Sequence, residues 1–175
     1  MKDTLVKLFE EKKYSTDKNT THSYLPIYDK LFSRFKDKEI NIIEVGVADG
    51  GSIELWDDYF TKATIFGFDI VDNYNPTSNR VIKQIRNINN ISNNEFEYFP
   101  LTIAIDDGSH LLKEQLEFIK KIYPQIVSGG LLIIEDIQDL EKEFPSFKSL
   151  GYDFEVLDLR KTKGRYDDVL LIFKK

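Results

Sequence analysis

The sequence contains no cysteine, which excludes disulfide bonds and thiolate metal sites. It also has no long run of basic residues, and the formal net charge at pH 7 is −6, with a calculated isoelectric point near 5.0. Binding to nucleic acid depends on concentrated Lys and Arg, so we expect no nucleic-acid partner.

Long apolar segments are missing as well. No apolar run approaches the roughly 20 residues that span a bilayer, and the first 14 residues carry too many charges for a signal peptide. We therefore expect a soluble cytoplasmic protein with no membrane partner. At 175 residues the chain suits a single domain. We expect that domain to cover 1–175, with a helical segment (1–36) that contributes to the site and an α/β core (37–175).

The most informative stretch is 40–70. An apolar strand (INIIEV) runs into a glycine-rich turn (GVADGGS), an amphipathic segment (ELWDDYF) and a second apolar strand (ATIFGFDI). Gly46, Gly50 and Gly51 have no Cβ, so the backbone there can turn sharply and approach a ligand closely. Asp69, at the carboxyl end of the second strand, is placed to accept hydrogen bonds from ribose hydroxyls. This pattern predicts a βαβ unit that binds a nucleoside.

Alternating apolar runs predict the rest of the architecture. Strands are expected at 40–45, 63–70, 80–85, 101–106, 131–135, 153–159 and 167–173. Helical spacing occurs at 2–13, at 24–36 and after the DGSH segment, where Ser109 is the expected N-cap. The Asn-rich segment 87–94 is expected to form a turn, and residues 128–130 (SGG) are expected to break the chain before the fifth strand.

The order of these elements indicates the fold class. Strands alternate with helices up to residue 135, which implies a parallel sheet with right-handed crossovers, and the last two strands are expected to form an antiparallel hairpin. A Rossmann dehydrogenase would continue with further βαβ units. We therefore predict an α/β protein that resembles the Rossmann-like class I methyltransferase fold: a mostly parallel seven-stranded sheet ending in an antiparallel β-hairpin, with N-terminal helices.

Acidic residues collect at the carboxyl ends of these strands, where open α/β sheets bind ligands. Taken singly, such an acid is usually solvated or caps the next helix. Together, five carboxylates gathered beside His110 repel one another unless a cation offsets them. Adjacent strand residues point to opposite faces, so Asp106 and Asp107 cannot both aim at one point, and Asp107, which is leaving its strand, is the better candidate. Because neighbouring strands lie about 4.8 Å apart, Asp107 could share one ion with Glu135 and Asp136. Oxygen ligands favour a hard cation such as Mg²⁺, Mn²⁺ or Ca²⁺.

Four motifs carry a narrower resemblance. EVGVADGGS followed by FGFDI resembles the S-adenosylmethionine (SAM) motif of class I methyltransferases. Together with IDDGSH, IIEDI and the earlier STDKNTTHSYLPIYDKLF, it resembles the metal-dependent sugar O-methyltransferases of macrolide biosynthesis, of the macrocin and mycinamicin type, and their cephalosporin-hydroxylase-like relatives. The resemblance covers residues 15–136.

The resemblance implies a role for individual residues. The implied cofactor contacts are Lys18, Glu44, Gly46, Gly50, Ser52, Asp69, Asn87 and Asp106, with Glu44, Gly46, Gly50 and Ser52 around the methionine part, Asp69 on the ribose and Asn87 near the adenine. The implied ligands of Mg²⁺ (or Mn²⁺) are Asp107, Glu135 and Asp136, and His110 is the implied general base. The residues implied to help close the site are Asp17, Lys18, His22, Tyr24 and Tyr28.

The resemblance thus implies a metal-assisted, SAM-dependent O-methyltransferase that acts on a hydroxyl of a sugar or glycan. The chain departs from the family at 85–89 (IRNIN), where relatives carry a Gly-Asp-Gln type segment, and it lacks their long insertions. Acceptor identity is therefore not transferable. A phenolic or catechol-like acceptor, or a degenerate module that binds SAM without turnover, stays open, as does assembly into a homo-oligomer.

Overall fold

A computed structural model of the protein describes residues 4–92 and 94–175. The strands are β1 (Asn41–Val45), β2 (Thr64–Asp69), β3 (Val81–Ile85), β4 (Leu101–Asp106), β5 (Ile126–Ile134), β6 (Glu155–Asp158) and β7 (Val169–Lys174). The helices are α1 (Leu5–Lys12), α2 (Leu25–Phe32), α3 (Gly51–Tyr59), α4 (Leu112–Ile122), α5 (Leu140–Lys148) and the short α6 (Arg160–Lys163).

The strands form one seven-stranded sheet in the order β3-β2-β1-β4-β5-β7-β6. The first five are parallel, whereas β7 is antiparallel to both β5 and β6. The predicted sheet and closing hairpin are therefore confirmed. The chain winds outward from β1 to β3 and then returns to place β4 on the other side of β1. This reversal separates the loops that follow β1 and β4, and in such sheets the gap between them is the place where ligands bind.

Each face of the sheet is covered by helices. Because successive strand residues point to opposite faces, Ile42 packs with α1, α2 and α3, whereas Ile43 packs with α4 and α5. Both side chains are fully buried. This burial on both faces accounts for the continuous apolar runs that identified the strands in the sequence. Among the described residues, no helix is both long enough and apolar enough to cross a membrane.

Several predicted boundaries need correction. The fifth strand begins at Ile126, so the segment 128–130 does not break it; a shift in the β4–β5 register absorbs the glycines, and Gly129 has φ +79°. Ser109 is not the N-cap of α4, because His110 has φ +57° and Leu111 is the residue that precedes the helix. Ser109 Oγ instead accepts a hydrogen bond from the Leu111 N–H.

The remaining differences are smaller. The second predicted helix ends at Phe32 and continues as one 3₁₀ turn, Ser33–Phe35. In the predicted turn at 87–94, Ile88–Asn90 form a 3₁₀ turn, and residue 93 lies outside the described residues. Residues 2–3 of the first predicted helix also lie outside them. Helix α5 was not predicted; its N-cap, Asp139, accepts a hydrogen bond from the Lys142 N–H, and Pro145 lies within it.

Candidate active site

A cavity of about 890 Å³ opens at the carboxyl edge of the parallel strands. Its walls come from the loops after β1, β2, β3, β4 and β5 and from the N-terminal segment around Ser15–Thr20. The predicted site residues that line it are Gly46, Ser52, Asp69, Asn87, Asp106, Asp107, His110 and Asp136. The predicted residues Lys18, Glu44, Gly50 and Glu135 are not among the lining residues and lie behind this wall. The structure thus brings one set together at the cavity and buries the other beneath it.

The glycine turn after β1 is shaped by close contacts within the chain. Gly46 has φ +86°, and a Cβ at this position would lie 1.8 Å from the carbonyl oxygen of Asp107. Gly50 has φ +84°, and a Cβ there would lie 2.0 Å from the ring of Tyr74. The loops after β1 and β4 therefore meet only because residue 46 has no side chain. This contact fixes the position of Asp107 at the rim of the cavity.

Asp69 organises the same turn. Its Oδ2 accepts the backbone N–H groups of Val47 (2.8 Å) and Ala48 (2.9 Å), and its Oδ1 accepts that of Val71 (3.0 Å). Partial burial raises the pKa of Asp69, but these donors outweigh it and hold the pKa below its ordinary value. Oδ2 uses both of its lone pairs on two of these amides, so the acceptor capacity that Asp69 keeps toward the cavity lies on Oδ1.

A buried carboxylate cluster, Glu44, Asp107 and Glu135, surrounds the ammonium of Lys18. Lys18 Nζ lies 2.5 Å from Asp107 Oδ2, 2.8 Å from both carboxylate oxygens of Glu135 and 3.3 Å from Glu44 Oε1. The Lys18 side chain is fully buried, which lowers its pKa, but the acids outweigh burial and raise that pKa well above its ordinary value. Lys18 is therefore a fixed cation inside the protein, and it offsets part of the charge that we predicted from the acids at the strand ends.

Aromatic side chains complete the buried cluster. Tyr28 donates its hydroxyl proton to Glu135 Oε1 at 2.5 Å, and the indole N–H of Trp56 donates to Glu44 Oε2. Gln115, which is buried on α4, donates to the backbone carbonyl of Glu135 at 3.2 Å. These contacts hold both glutamates in place.

Asp107 bridges the buried cluster and the cavity. Its Oδ2 contacts Lys18, whereas its Oδ1 lies 3.2 Å from His110 Nε2. His110 Nε2 also lies 3.5 Å from Asp136 Oδ2. Ligand atoms of Asp107, His110 and Asp136 lie within 4.8 Å of one another, close enough to hold one metal ion. We call these three residues the open cluster.

Burial and neighbouring charges shift the pKa values of the three residues of the open cluster. Burial raises the pKa of Asp107, but Lys18 and His110 outweigh it and hold that pKa below its ordinary value. The hydrogen bond to Asp107 raises the pKa of His110, and Asp136 adds to the effect. Asp136 is held by the Tyr24 hydroxyl at 2.6 Å, and burial raises its pKa.

The other predicted residues lie around the two clusters. Asp106 ends β4 in a buried position; its Oδ1 accepts the Gly108 N–H at 3.2 Å, and burial raises its pKa to about 7. Asn87 faces the cavity, and its side-chain oxygen accepts the Asn89 N–H at 2.8 Å. Asp17 lines the cavity, and His22 is buried with Nδ1 3.4 Å from Asp136 Oδ1.

Sequence reasoning missed four residues that build the site. Trp56 and Gln115 were assigned to amphipathic helices, although a polar residue among the apolar positions of α4 was an available signal. Asp167 and Asp168, in the closing hairpin, are buried beside the N-terminal segment, and Asp168 Oδ1 accepts the Ser23 N–H at 3.1 Å. No local pattern could reveal a contact between residues 145 positions apart.

Two curated relatives are similar in sequence. The chain is 28% identical over 151 residues to 8-demethyl-8-alpha-L-rhamnosyl tetracenomycin-C 2'-O-methyltransferase of Streptomyces olivaceus, covering 81% of this chain and 39% of the relative. It is 32% identical over 130 residues to mycinamicin VI 2''-O-methyltransferase of Micromonospora griseorubida, covering 66% of this chain and 32% of the relative. The chain thus spans less than half the length of these relatives. No family model matches it.

The comparison with solved structures decides the fold. The MycE methyltransferase of the mycinamycin biosynthetic pathway, solved with Mg, SAH and mycinamycin VI, matches 99% of this chain with a TM-score of 0.80 at 21% identity. The chain has the class I methyltransferase fold. It covers 54% of the MycE chain. The predicted fold and the predicted resemblance to sugar O-methyltransferases are both confirmed, and within this fold the cavity lies at the reversal between β1 and β4.

Proposed function

We propose that the protein is a SAM-dependent O-methyltransferase that uses a divalent metal ion to methylate a hydroxyl of a sugar or glycan. The observation that carries the proposal is that one cavity contains both the glycine turn with Asp69 and the open cluster. A nucleoside cofactor and an ion-bound hydroxyl would therefore meet in the same space. The sugar O-methyltransferases that the chain resembles, and the Mg and SAH in the MycE crystals, support the same assignment.

The cavity fits the cofactor. Gly46 and Ser52 line one end of the cavity near Asp69, and Asn87 lies on the wall after β3. Apolar side chains Phe68, Ile70 and Val71 border the same region and offer a surface for a planar base. Bound SAM would supply an electrophilic methyl group. Three of the residues that the resemblance assigns to the cofactor lie behind the cavity wall and would act by fixing its shape: Lys18, Glu44 and Gly50. Direct contacts between these residues and the cofactor stay a prediction.

The open cluster fits a hard divalent cation. Asp107 and Asp136 offer carboxylate oxygens, which Mg²⁺ and Mn²⁺ prefer, and His110 adjoins them. A bound divalent ion would make a coordinated hydroxyl more acidic. Ligation by Glu135 stays a prediction, because its two oxygens contact Lys18 and Tyr28 here.

The chain's own residues would then position and deprotonate the acceptor. His110 is the proton acceptor in this proposal, since its ring lies at the cavity wall beside Asp107 and Asp136. General-base catalysis of this kind typically contributes about 10²–10⁴-fold. Tyr24 holds Asp136 in place through its hydroxyl. Asp17 and Thr20 form the wall of the N-terminal segment and limit how the acceptor enters.

The proposal also covers the acceptor, the cellular location and the domain organisation. We propose a small-molecule or glycan acceptor that carries a sugar, a cytoplasmic location, and one functional domain over 1–175. Assembly into a homo-oligomer stays a prediction.

The test has two stages. Isothermal titration calorimetry with S-adenosylhomocysteine should detect binding, which NAD should not match. Methyl transfer from SAM should then be measured on panels of glycosides and catechols, in Mg²⁺ and in EDTA. Transfer to glycosides that EDTA abolishes and Mg²⁺ or Mn²⁺ restores supports the proposal. Transfer only to catechols would show that the acceptor is a phenol and not a sugar. Binding of S-adenosylhomocysteine without any methyl transfer would indicate a non-catalytic module.

A further inference from the structure

The closing hairpin contacts the N-terminal wall of the cavity through Asp167 and Asp168, which meet Tyr24 and Ser23, and through Lys163. Lys163, the last residue of α6, donates from Nζ to three backbone carbonyls of the N-terminal segment. The distances are 2.6 Å to Asn19 O, 3.3 Å to Thr20 O and 2.5 Å to His22 O. One ammonium carries three N–H donors, so this geometry uses its full capacity.

The segment that Lys163 contacts is a compact loop. The carbonyl oxygen of Asp17 accepts the N–H groups of Thr20, Thr21 and His22, and the carbonyl oxygen of Lys18 accepts that of Tyr24. These hydrogen bonds close the backbone of the loop on itself. Its outer carbonyls, which point away from these internal bonds, are the groups that Lys163 binds.

Lys163 is itself held in position. Helix α6 is capped by Gly164, which has φ +75° and donates its N–H to the Arg160 carbonyl. At the other end of the helix, the Arg160 side chain pairs with Asp158 and with Glu141 of α5. The ammonium is therefore presented from a fixed turn.

The loop connects this contact to the clusters of the site. Asp17 lines the cavity, and Lys18, next in the chain, is the cation of the buried carboxylate cluster. Moving the loop would withdraw Lys18 from Glu135 and Glu44.

We propose that Lys163 is a positioning residue: by binding three carbonyls of the Asn19–His22 loop, it sets where Asp17 and Lys18 stand at the cavity. Only the idea that this wall faces a methyl acceptor rests on the proposed function. The placement of the loop does not.

The full-length protein provides two readouts that need no activity. Hydrogen exchange followed by mass spectrometry reports on the amides of residues 15–24. The only tryptophan, Trp56, donates to Glu44, so its fluorescence reports on the charge balance of the buried cluster. The variant is Lys163→Met. The matched control is Lys161→Met on the same helix, whose ammonium makes no hydrogen bond or ion pair with the described residues.

In Lys163→Met we expect about tenfold faster exchange over 15–24, which corresponds to about 1.4 kcal/mol, and a red shift of Trp56 emission, while β4 and β5 keep their protection. Lys161→Met should match the wild type in both readouts. Lys163→Arg keeps the charge and the donors and should restore slow exchange.

Unchanged or slower exchange over 15–24 in Lys163→Met would overturn the proposal. So would equal exchange in the Met and Arg variants, or loss of protection throughout the sheet, which would make Lys163 a determinant of global stability. These outcomes stand apart from cofactor binding: a wild-type protein that fails to bind S-adenosylhomocysteine refutes the proposed function but leaves this test valid.

Discussion

Replacing Lys18 with Met should destabilise the protein strongly, because it removes the cation from a buried cluster of acids. Methionine keeps an unbranched chain of similar length, so the change removes the charge more than the packing volume. The ammonium is fully buried, and it lies within 3.3 Å of oxygens from three different carboxyl groups. Glu44 and Glu135 cannot turn to water without breaking their contacts with Trp56 and Tyr28.

The expected magnitude follows from the burial of the pair. Removing one partner of a buried ion pair costs about 3–5 kcal/mol, since the remaining charge stays desolvated and uncompensated. For a chain of this length, each kcal/mol lowers the melting temperature by about 2–4 °C, so we expect a decrease of about 6–20 °C. An exposed surface pair would be worth about 1 kcal/mol or less.

Differential scanning calorimetry and urea unfolding in EDTA measure this difference. The matched control is Lys30→Met, an exposed lysine on α2, which should stay within about 0.5 kcal/mol of the wild type. If Lys18→Met unfolds within about 1 kcal/mol of the wild type, then Lys18 is not the internal counter-ion and the acids at this edge must be neutralised in another way.

Three further substitutions test the glycine turn after β1, Asp69 and the proposed general base His110. Gly46→Ala should cost about 2–5 kcal/mol in urea unfolding, because its Cβ meets a backbone oxygen at 1.8 Å, whereas Gly129→Ala, with φ +79° and no atom within 4 Å, should cost only about 1–2 kcal/mol. Asp69→Asn should be less stable than the wild type at neutral pH. The lowered pKa of Asp69 means that its contribution is present above the unfolded value of about 3.9 and is lost as the pH falls through the folded value, so the two proteins should converge in acid. His110→Ala should keep its affinity for S-adenosylhomocysteine in calorimetry but lose about 10²–10⁴-fold in turnover, and full activity would remove His110 from the mechanism.

The sheet could be predicted from the sequence because its strands are buried on both faces. Runs such as LTIAID and LLII are continuous and apolar, and they end abruptly in acids or glycines, so their positions are clear. Helix α5 could not be identified in the same way. Its sequence, LEKEFPSFK, has few apolar residues and contains Pro145, which usually ends a helix, and tertiary packing of Phe147 outweighs that preference.

The candidate site was predicted in part for the same reason. The residues that line the cavity follow directly from strand ends, and the parallel topology brings Asp107 and Asp136 to one edge. Lys18 could not be assigned its role from the sequence, because its partners lie 26 to 117 positions away. A lysine in a polar stretch reads as a solvated or ligand-binding residue, and only the folded chain reveals that it is enclosed.

The repulsion among the acids at the strand ends implied a cation, and a metal ion was the natural candidate. In the structure, compensation of these negative charges is divided between two places. Lys18 compensates Glu44, Glu135 and one oxygen of Asp107 from inside, whereas the other oxygen of Asp107 faces the cavity together with Asp136. Because Lys18 already offsets part of the inner charge, the fold can hold the outer acids in place before any ion binds. An ion that binds at the open cluster then meets a preorganised pair of carboxylates, which lowers the cost of ordering the ligands on binding.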